Sequence, residues 1–362
     1  MIEYESLGGV NEPYFQEYET FFASFIRKGW YILGDEVKNF EEEFTGYCGA
    51  KHCVGVANGL DALTISLKSL DLPEGSEVIV PSNTYIATVL SVLQAGLKPV
   101  LVEPRLDNYN LDPSLIKAAV TSKTKVILVV HLYGKMTDME EVMRIAEEHG
   151  LFVIEDCAQS HGAMLNGKKA GTFGHLSAFS FYPTKTLGAL GDAGAIVTND
   201  SELTGKIKAL RNYGSEKKYY NKYIGYNSRL DELQAGLLRI KLKHLDAFNG
   251  YKNKLATIYF ENICSPLITL PVKEPGKYDV FHIFNIRCKK RDSLKQYLQE
   301  NGIKTEIHYP VPPHQQEGYR HIFAGNYPVS EEIHNTTLSL PISVIHTEAD
   351  IISVCKTINN FS

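Results

Sequence analysis

The chain has 362 residues, a formal net charge of −5 at pH 7, 44% hydrophobic and 22% charged residues. That length suits one large and one smaller domain, and the mildly acidic balance supplies no basic field for nucleic acid. No run of about twenty apolar residues is present to span a membrane, and the start MIEYESLGGVNEP lacks a basic-then-apolar signal pattern, so a cytoplasmic protein is expected. The cysteines, Cys48, Cys53, Cys157, Cys264, Cys288 and Cys355, are scattered with no C-x-x-C pair. Cys48, His52 and Cys53 could be called metal-like, but small buried residues in a reducing compartment account for them, and no metal is expected.

In chain order, residues 13–28 and 35–47 pattern as helices around the aromatic turn Gly29-Trp30-Tyr31-Ile32-Leu33-Gly34. From residue 52 short apolar strands alternate with helices. His52–Val56 reads as a strand, and Asn58-Gly59 opens a helix with Leu60, Leu63, Leu67 and Leu70 on one face. Strands follow at Glu77–Val80, Pro99–Val102, Lys125–Val130 and Leu151–Glu155, with helices at Thr84–Ala95 and Asp138–His149. This alternation predicts a mostly parallel sheet covered on both faces. Ligands in such sheets bind beyond the carboxyl ends of the strands. Gly59, Tyr85 and Asp156 fall at such ends. Taken singly, Gly59 reads as a cap turn, Tyr85 as a core aromatic and Asp156 as a helix cap. A carboxylate directly after a buried strand is nonetheless costly without a cationic partner.

The most unusual stretch is Phe179–Ala195, FSFYPTKTLGALGDAGA. Ser177–Phe181 alternates Ser/Ala with Phe as a short strand, and Ala195-Ile196-Val197 is another. Between them Lys185 sits on a turn beside Gly188, Gly191 and Gly194. The glycine spacing matches neither the dinucleotide nor the phosphate-loop fingerprint. A desolvated lysine there can act as a nucleophilic amine toward a carbonyl or toward pyridoxal 5′-phosphate (PLP).

After residue 200 a helix runs to about Arg211. The Lys- and Tyr-rich loop Asn212–Ser228 reads as a mobile surface loop or as a lid over a phosphate-bearing ligand. A long helix is expected from Asp231 into the 250s. Val280–Arg287 alternates as a strand with Val280, His282, Phe284 and Ile286 on one face. Asp292–Asn301 is helical, Lys304–Ile307 reads as a strand, and two helices close the chain. The expected division is a large domain, residues 1–249, and a small α+β domain, residues 250–362.

A phosphate site, an aromatic face, a buried carboxylate and a buried lysine are together what PLP requires. The chain resembles the DegT/DnrJ/StrS sugar-nucleotide aminotransferases, PLP enzymes of the aspartate aminotransferase fold (fold type I). The resemblance rests on Ala57-Asn58-Gly59-Leu60-Asp61-Ala62-Leu63, Glu155-Asp156-Cys157-Ala158-Gln159-Ser160-His161-Gly162, Ser180–Gly194 and Gly225–Ala235, in that order. It implies an α/β fold with a mostly parallel seven-stranded-type sheet in the large domain. It implies that Lys185 binds the cofactor and moves the proton, that Asp156 pairs with the ring nitrogen and that Gln159 bonds the ring hydroxyl. Tyr85 would stack on the ring, and Gly59, Leu60 and Ser180 would hold the phosphate. Asn227 would reach the cofactor of a partner subunit, in a homodimer with shared sites. L-glutamate would be the donor and a keto-sugar nucleotide the acceptor. The strip Tyr182–Gly194 looks like the subgroup acting at C3 of dTDP-3-keto-6-deoxyhexoses, with Thr186 where that subgroup often has Asn. Tyr182, Tyr219, Glu306, His308 and Tyr309 are then candidate sugar-nucleotide contacts. Amination at C4 or of a UDP-linked 3-keto sugar, and a non-catalytic regulator binding the same ligands, are the alternatives.

Overall fold

A computed structural model describes residues 1–362. Seven strands form one sheet: β1 (His52–Val56), β2 (Glu77–Pro81), β3 (Lys98–Val102), β4 (Thr124–Val130), β5 (Phe152–Asp156), β6 (Leu176–Ser180) and β7 (Gly194–Thr198). Their order across the sheet is β1-β7-β6-β5-β4-β2-β3. All neighbours are parallel except that β7 runs antiparallel to β1 and β6. The mostly parallel fold read from the sequence is therefore present, with one reversed strand. No helix is long and apolar enough to cross a membrane.

The alternation along each strand sorts side chains onto two faces, both buried. On one face Phe179, Phe181, Ala195, Val197, Ile127 and Val129 meet Phe40 and Phe44 of helix Asp35–Cys48 and Val142 and Ile145 of helix Met139–His149. On the other, Leu176, Ala178, Ile196, Val126 and Leu128 meet Leu63 and Leu67 of helix Gly59–Ser69, Val89 and Val92 of helix Ile86–Gln94, and Ile207 of helix Ser201–Leu210. The Phe/Ala alternation of β6 thus separates two cores rather than core from solvent. A third core joins Leu255 and Tyr259 of helix Leu245–Asn262, Phe284 and Ile286, Leu338 and Leu340, and Ile351 and Val354 of helix Glu348–Asn359.

Four expectations need correction. The long helix after Asp231 is two, Glu232–Leu242 and Leu245–Asn262; the second starts in the sheet core at Leu245 and carries the chain to the third core at Leu255 and Tyr259. Val280–Arg287 forms a strand only at Phe284–Arg287. Phe281 has a left-handed φ of 44°, and the partner Thr337–Leu340 offers no further residues to pair. Lys304–Ile307 is not a strand and makes a single bridge, Glu306 to Ser339. The loop at 212–228 contains a small hairpin, Ser215–Lys217 with Tyr220–Asn221.

The reversed strand depends on glycine. Gly194 pairs with both Val56 and Ser180, and a Cβ there would stand 2.5 Å from the Asn58 carbonyl carbon and 3.0 Å from the Gly59 nitrogen. At helical, exposed Gly205 a Cβ would meet nothing within 4 Å. Gly194→Ala is expected to destabilise by about 1–3 kcal/mol, while Gly205→Ala stabilises by about 0.5–1 kcal/mol through helix propensity. Thermal melts of the two variants against wild type check both signs.

Candidate active site

β6 delivers the chain to the carboxyl edge of the sheet, and the Lys185 loop turns it back into β7. The turn closes through the Lys185 N–H donating to the Tyr182 carbonyl at 2.8 Å, and the Ala189 N–H donates to the Phe181 carbonyl at 2.8 Å. Two further glycines allow close approach rather than unusual dihedrals. A Cβ at Gly188 would lie 2.8 Å from the Pro183 carbonyl carbon, and one at Gly191 2.8 Å from the Gln234 side-chain amide. Helix Glu232–Leu242 pins the loop from below. Lys241 Nζ donates to the Gly188 carbonyl at 2.9 Å, and Gln234 Oε1 accepts from the Leu190 N–H at 2.9 Å.

Beside this loop lies a cavity of about 510 Å³. Its walls include Gly59, Leu60, Tyr85, Asp156, Gln159, Ser180, Tyr182, Lys185, His308 and Tyr309, together with Thr84, His282 and Asp192. Most residues singled out in the sequence converge here, from strand ends far apart in the chain. Tyr219 is 85% exposed and Asn227 is exposed, and both stand outside this cavity. Glu306 lines a smaller neighbouring one.

Asp156 ends β5 with its carboxylate buried. Its Oδ1 accepts from the Ala158 N–H at 3.1 Å and its Oδ2 from the Thr88 hydroxyl at 2.9 Å, while Thr84 and Thr88 hydroxyls lie 2.7 Å apart. Burial pushes the Asp156 carboxyl above the usual range, and Ala158, Thr88 and then Lys185 oppose it. At half-buried Lys185, burial draws the amine down to about 8, against the pull of Asp156 and Glu5. A substantial share of this lysine is thus a neutral nucleophile near pH 8.

Gln159 is oriented without ambiguity. Its Oε1 accepts from the Tyr133 N–H at 2.6 Å, so Nε2 is the donor, here to the Tyr309 hydroxyl at 2.9 Å. Tyr85, about half exposed, leans on Tyr309 with ring centroids 5.0 Å apart. Asn58 caps the Asp61 N–H at 2.8 Å, which leaves the first-turn N–H groups of Gly59 and Leu60 without intrahelical acceptors. A Cβ on Gly59 would press 2.5 Å from Ser180 Cβ. Bare backbone donors beside a serine hydroxyl form an anion cradle at a helix N-terminus. These residues fit PLP. The cradle suits its phosphate, the uncompensated buried carboxylate suits its protonated ring nitrogen, and the amine suits its aldehyde.

Glu155, one residue earlier, faces the other side of the sheet. Its carboxylate accepts from His131 Nε2 at 3.0 Å and from the N–H groups of Gly171, Phe173 and Gly174 at 2.9, 2.8 and 2.7 Å. Burial raises this carboxyl, but His131 and the Gly174 and Gly171 N–H groups outweigh burial and hold it below the usual range. His131, Glu155 and Cys157 have potential ligand atoms within 4.8 Å of one another. Hydrogen bonds within the protein already occupy this cluster: His131 Nδ1 accepts the Thr137 N–H at 3.1 Å, Nε2 faces Glu155, and burial pushes the Cys157 thiol up.

Sequence reasoning missed Thr88, Tyr133, His282 and the N-terminal pair Tyr4 and Glu5. Thr88 carried a signal, as a hydroxyl in the otherwise apolar run Ile86-Ala87-Thr88-Val89-Leu90. The others carry none that periodicity or spacing exposes.

Residues 16–359 match the model of the DegT/DnrJ/EryC1/StrS aminotransferase family. The chain is 50% identical over 361 residues, 100% of its own length and 99% of the relative's, to the dTDP-3-amino-3,6-dideoxy-alpha-D-galactopyranose transaminase of Aneurinibacillus thermoaerophilus. Among solved structures it superposes on S. venezuelae DesV, crystallised with a ketimine intermediate, with a TM-score of 0.96 at 43% identity, covering 98% of this chain and 96% of that one. It also superposes on NtdA of Bacillus subtilis with bound PMP, with a TM-score of 0.91 at 29% identity, covering 98% and 84%.

Replacing Glu155 by Ala strands three backbone donors and the His131 N–H, at an expected loss of about 3 kcal/mol or more. The gap is full above the ordinary Glu value of 4.5 and closes as pH falls below it, because a depressed carboxyl stabilises only where it is ionised in the folded state. Chelator treatment is expected to leave the melting temperature unchanged. Melts across pH, with and without chelator, check both.

Proposed function

The chain belongs to the DegT/DnrJ/EryC1/StrS aminotransferase family, and we propose that it moves the amino group of L-glutamate to C3 of a dTDP-3-keto-6-deoxyhexose, yielding 2-oxoglutarate and a dTDP-3-amino-3,6-dideoxyhexose. The observation that carries this reading is that Lys185 and the buried Asp156 carboxylate, which makes no ion pair, share one cavity beside the bare backbone of Gly59. The 50% identical relative makes the galacto-configured acceptor the first to test.

PLP supplies an electron sink and a carrier for the amino group when bound. Lys185 contributes the amine that binds it and, once released, moves the proton at the reacting carbon. Asp156, steadied by the Ala158 N–H and the Thr88 hydroxyl, holds a proton on the ring nitrogen. Gln159 directs Nε2–H toward the ring hydroxyl, and Tyr85 offers an apolar face. Gly59, Leu60 and Ser180 take the phosphate. Tyr182, 52% exposed at the rim, and His308 and Tyr309 from the small domain orient the sugar, with Glu306 and Tyr219 further along the nucleotide path.

The reading includes a homodimer in which Asn227 completes the partner's phosphate site. Exposed apolar side chains support it: Ile224 is 99% exposed three residues from Asn227, and Trp30 is 66% exposed. Trp30 is followed by Tyr31 and Ile32, 51% and 42% exposed, and a contiguous apolar patch marks a contact surface. It also includes a large domain, residues 1–249, and a small one, residues 250–362. The separate third core supports that division, and helix Leu245–Asn262 crosses the boundary and serves both. A cytoplasmic location agrees with six free cysteines, five of them buried.

Lys185→Ala is expected to cut turnover by about 10³-fold or more, while sedimentation still gives twice the 40.5 kDa chain mass. Near-normal turnover in that variant sinks the mechanism. In a two-step experiment the glutamate-treated enzyme, freed of donor, should recover its original absorbance with the 3-keto dTDP-sugar and not with the 4-keto isomer. Recovery only with the 4-keto sugar refutes the C3 assignment and leaves the family chemistry standing.

A further inference from the structure

The first residues of the chain are a strap laid across the small domain. The Ile2 N–H donates to the Gly302 carbonyl at 2.7 Å, and the Lys304 N–H donates to the Ile2 carbonyl at 2.9 Å. His346 Nε2 donates to the Glu3 carbonyl at 2.8 Å, and Glu3 pairs with Lys304 at 2.8 Å. This fixes the next two residues, Tyr4 and Glu5, in the wall of a second cavity of about 260 Å³. The cavity shares Thr184, His282 and His308 with the larger one, so Glu5 lines the same wall as Thr184, the chain neighbour of Lys185.

Three amines act electrostatically on the Glu5 carboxylate. Lys185 is on the loop. Lys241 reaches the Gly188 carbonyl at 2.9 Å, and Lys252 reaches the His282 carbonyl at 3.2 Å. Lys241 and Lys252 are buried and hold those single carbonyl contacts. Burial lowers each of the three amines to about 8, and Glu5 is the carboxylate that opposes it at Lys241 and Lys252, joining Asp156 at Lys185. The remaining titratable groups here are Tyr4 on the strap, Glu306 and His308 on the small domain, and His282 and His161, which burial keeps neutral.

We propose that Glu5 is a positioning residue for the transamination: the strap carries its carboxylate into the wall that holds Thr184, where it balances the charge shared with Lys241 and Lys252 and keeps a proton available at the Lys185 amine. The backbone bonds of Ile2 and Glu3 anchor the strap, and Glu5 is its electrostatic cargo. The proposal rests on Lys185 being the amine that binds PLP.

The test is the rate at which the full-length chain, freed of cofactor, takes up PLP, followed by absorbance as a function of pH. Only the neutral amine attacks the aldehyde, so the wild-type rate rises through a midpoint near 8. Removing a negative charge disfavours the protonated amine. Glu5→Gln is therefore expected to move the midpoint down by about half a unit and to speed uptake at pH 7 about three-fold. Glu5→Asp should return the midpoint toward wild type, and Glu3→Gln, which removes an exposed strap charge but leaves the backbone bonds of Ile2 and Glu3 in place, should not move it. An unchanged midpoint in Glu5→Gln, or an equal shift in Glu3→Gln, overturns the role of Glu5 alone. A wild-type chain that takes up no PLP through Lys185 overturns both this role and the reading it rests on.

Discussion

Three backbones meet at Gly194 with no room for a side chain, and the site is built outward from that contact. Because β7 starts there, between the ends of β1 and β6, the chain must leave β6, turn and come back at one edge of the sheet. That return is the Lys185 loop. The same contact brings Ser180 against Gly59, so the opening turn of helix Gly59–Ser69 presents donors beside a hydroxyl. A single reversed strand in a parallel sheet thus sets the nucleophilic amine and the anion cradle next to each other.

Electrostatics then separates structure from function along a single strand. Glu155 and Asp156 are neighbours at the end of β5, and the two-residue period sends them to opposite faces. Glu155 meets a histidine and three backbone donors and is held below the usual range. Asp156 meets one backbone donor and one hydroxyl and is pushed above it. The first is a satisfied buried group that ties β5 to the Gly171–Gly174 turn. The second is left with unused capacity to stabilise a positive charge, and perturbed groups of this kind gather at sites of chemistry. Lys185 is the complement, an amine whose desolvation exceeds what nearby carboxylates return.

The walls of the site come from widely separated parts of the chain. The sheet contributes Asp156 and Ser180, helix Glu232–Leu242 pins the lysine loop, the small domain contributes His308 and Tyr309, and the N-terminal strap places Glu5 in the adjoining cavity. Movement of the small domain against the sheet would shift the last two groups together, because the strap is bonded to Gly302 and Lys304 on the small domain. Tyr219 and Asn227 are exposed and stand outside the chain's own cavity.

The strands, most helices and the mostly parallel sheet were legible because period-two and period-3.6 apolar patterns follow directly from burying one side of a repeating backbone. Lys185, Asp156, Gly59 and Tyr85 were legible because each sits where an apolar strand gives way to a short turn, and such junctions lie at sheet edges in this architecture. What no local pattern carries is the meeting of residues distant in sequence. The break between helices Glu232–Leu242 and Leu245–Asn262 is invisible in a continuous helical pattern, because Leu238, Leu242 and Leu245 all pack in the sheet core and only Leu255 and Tyr259 further on reach the third core. Val280–Arg287 alternates like a strand, yet pairing ends where its partner ends. The reversal of β7, the support of Asp156 by Thr88, the orientation of Gln159 by the Tyr133 N–H and the arrival of Glu5 all depend on long-range contacts. The sequence by itself determined which groups were available at the strand ends. Only the tertiary structure decided which of them share one solvent-poor cavity, because burial and the low dielectric that shifts Lys185 and Asp156 arise when the separate cores close together.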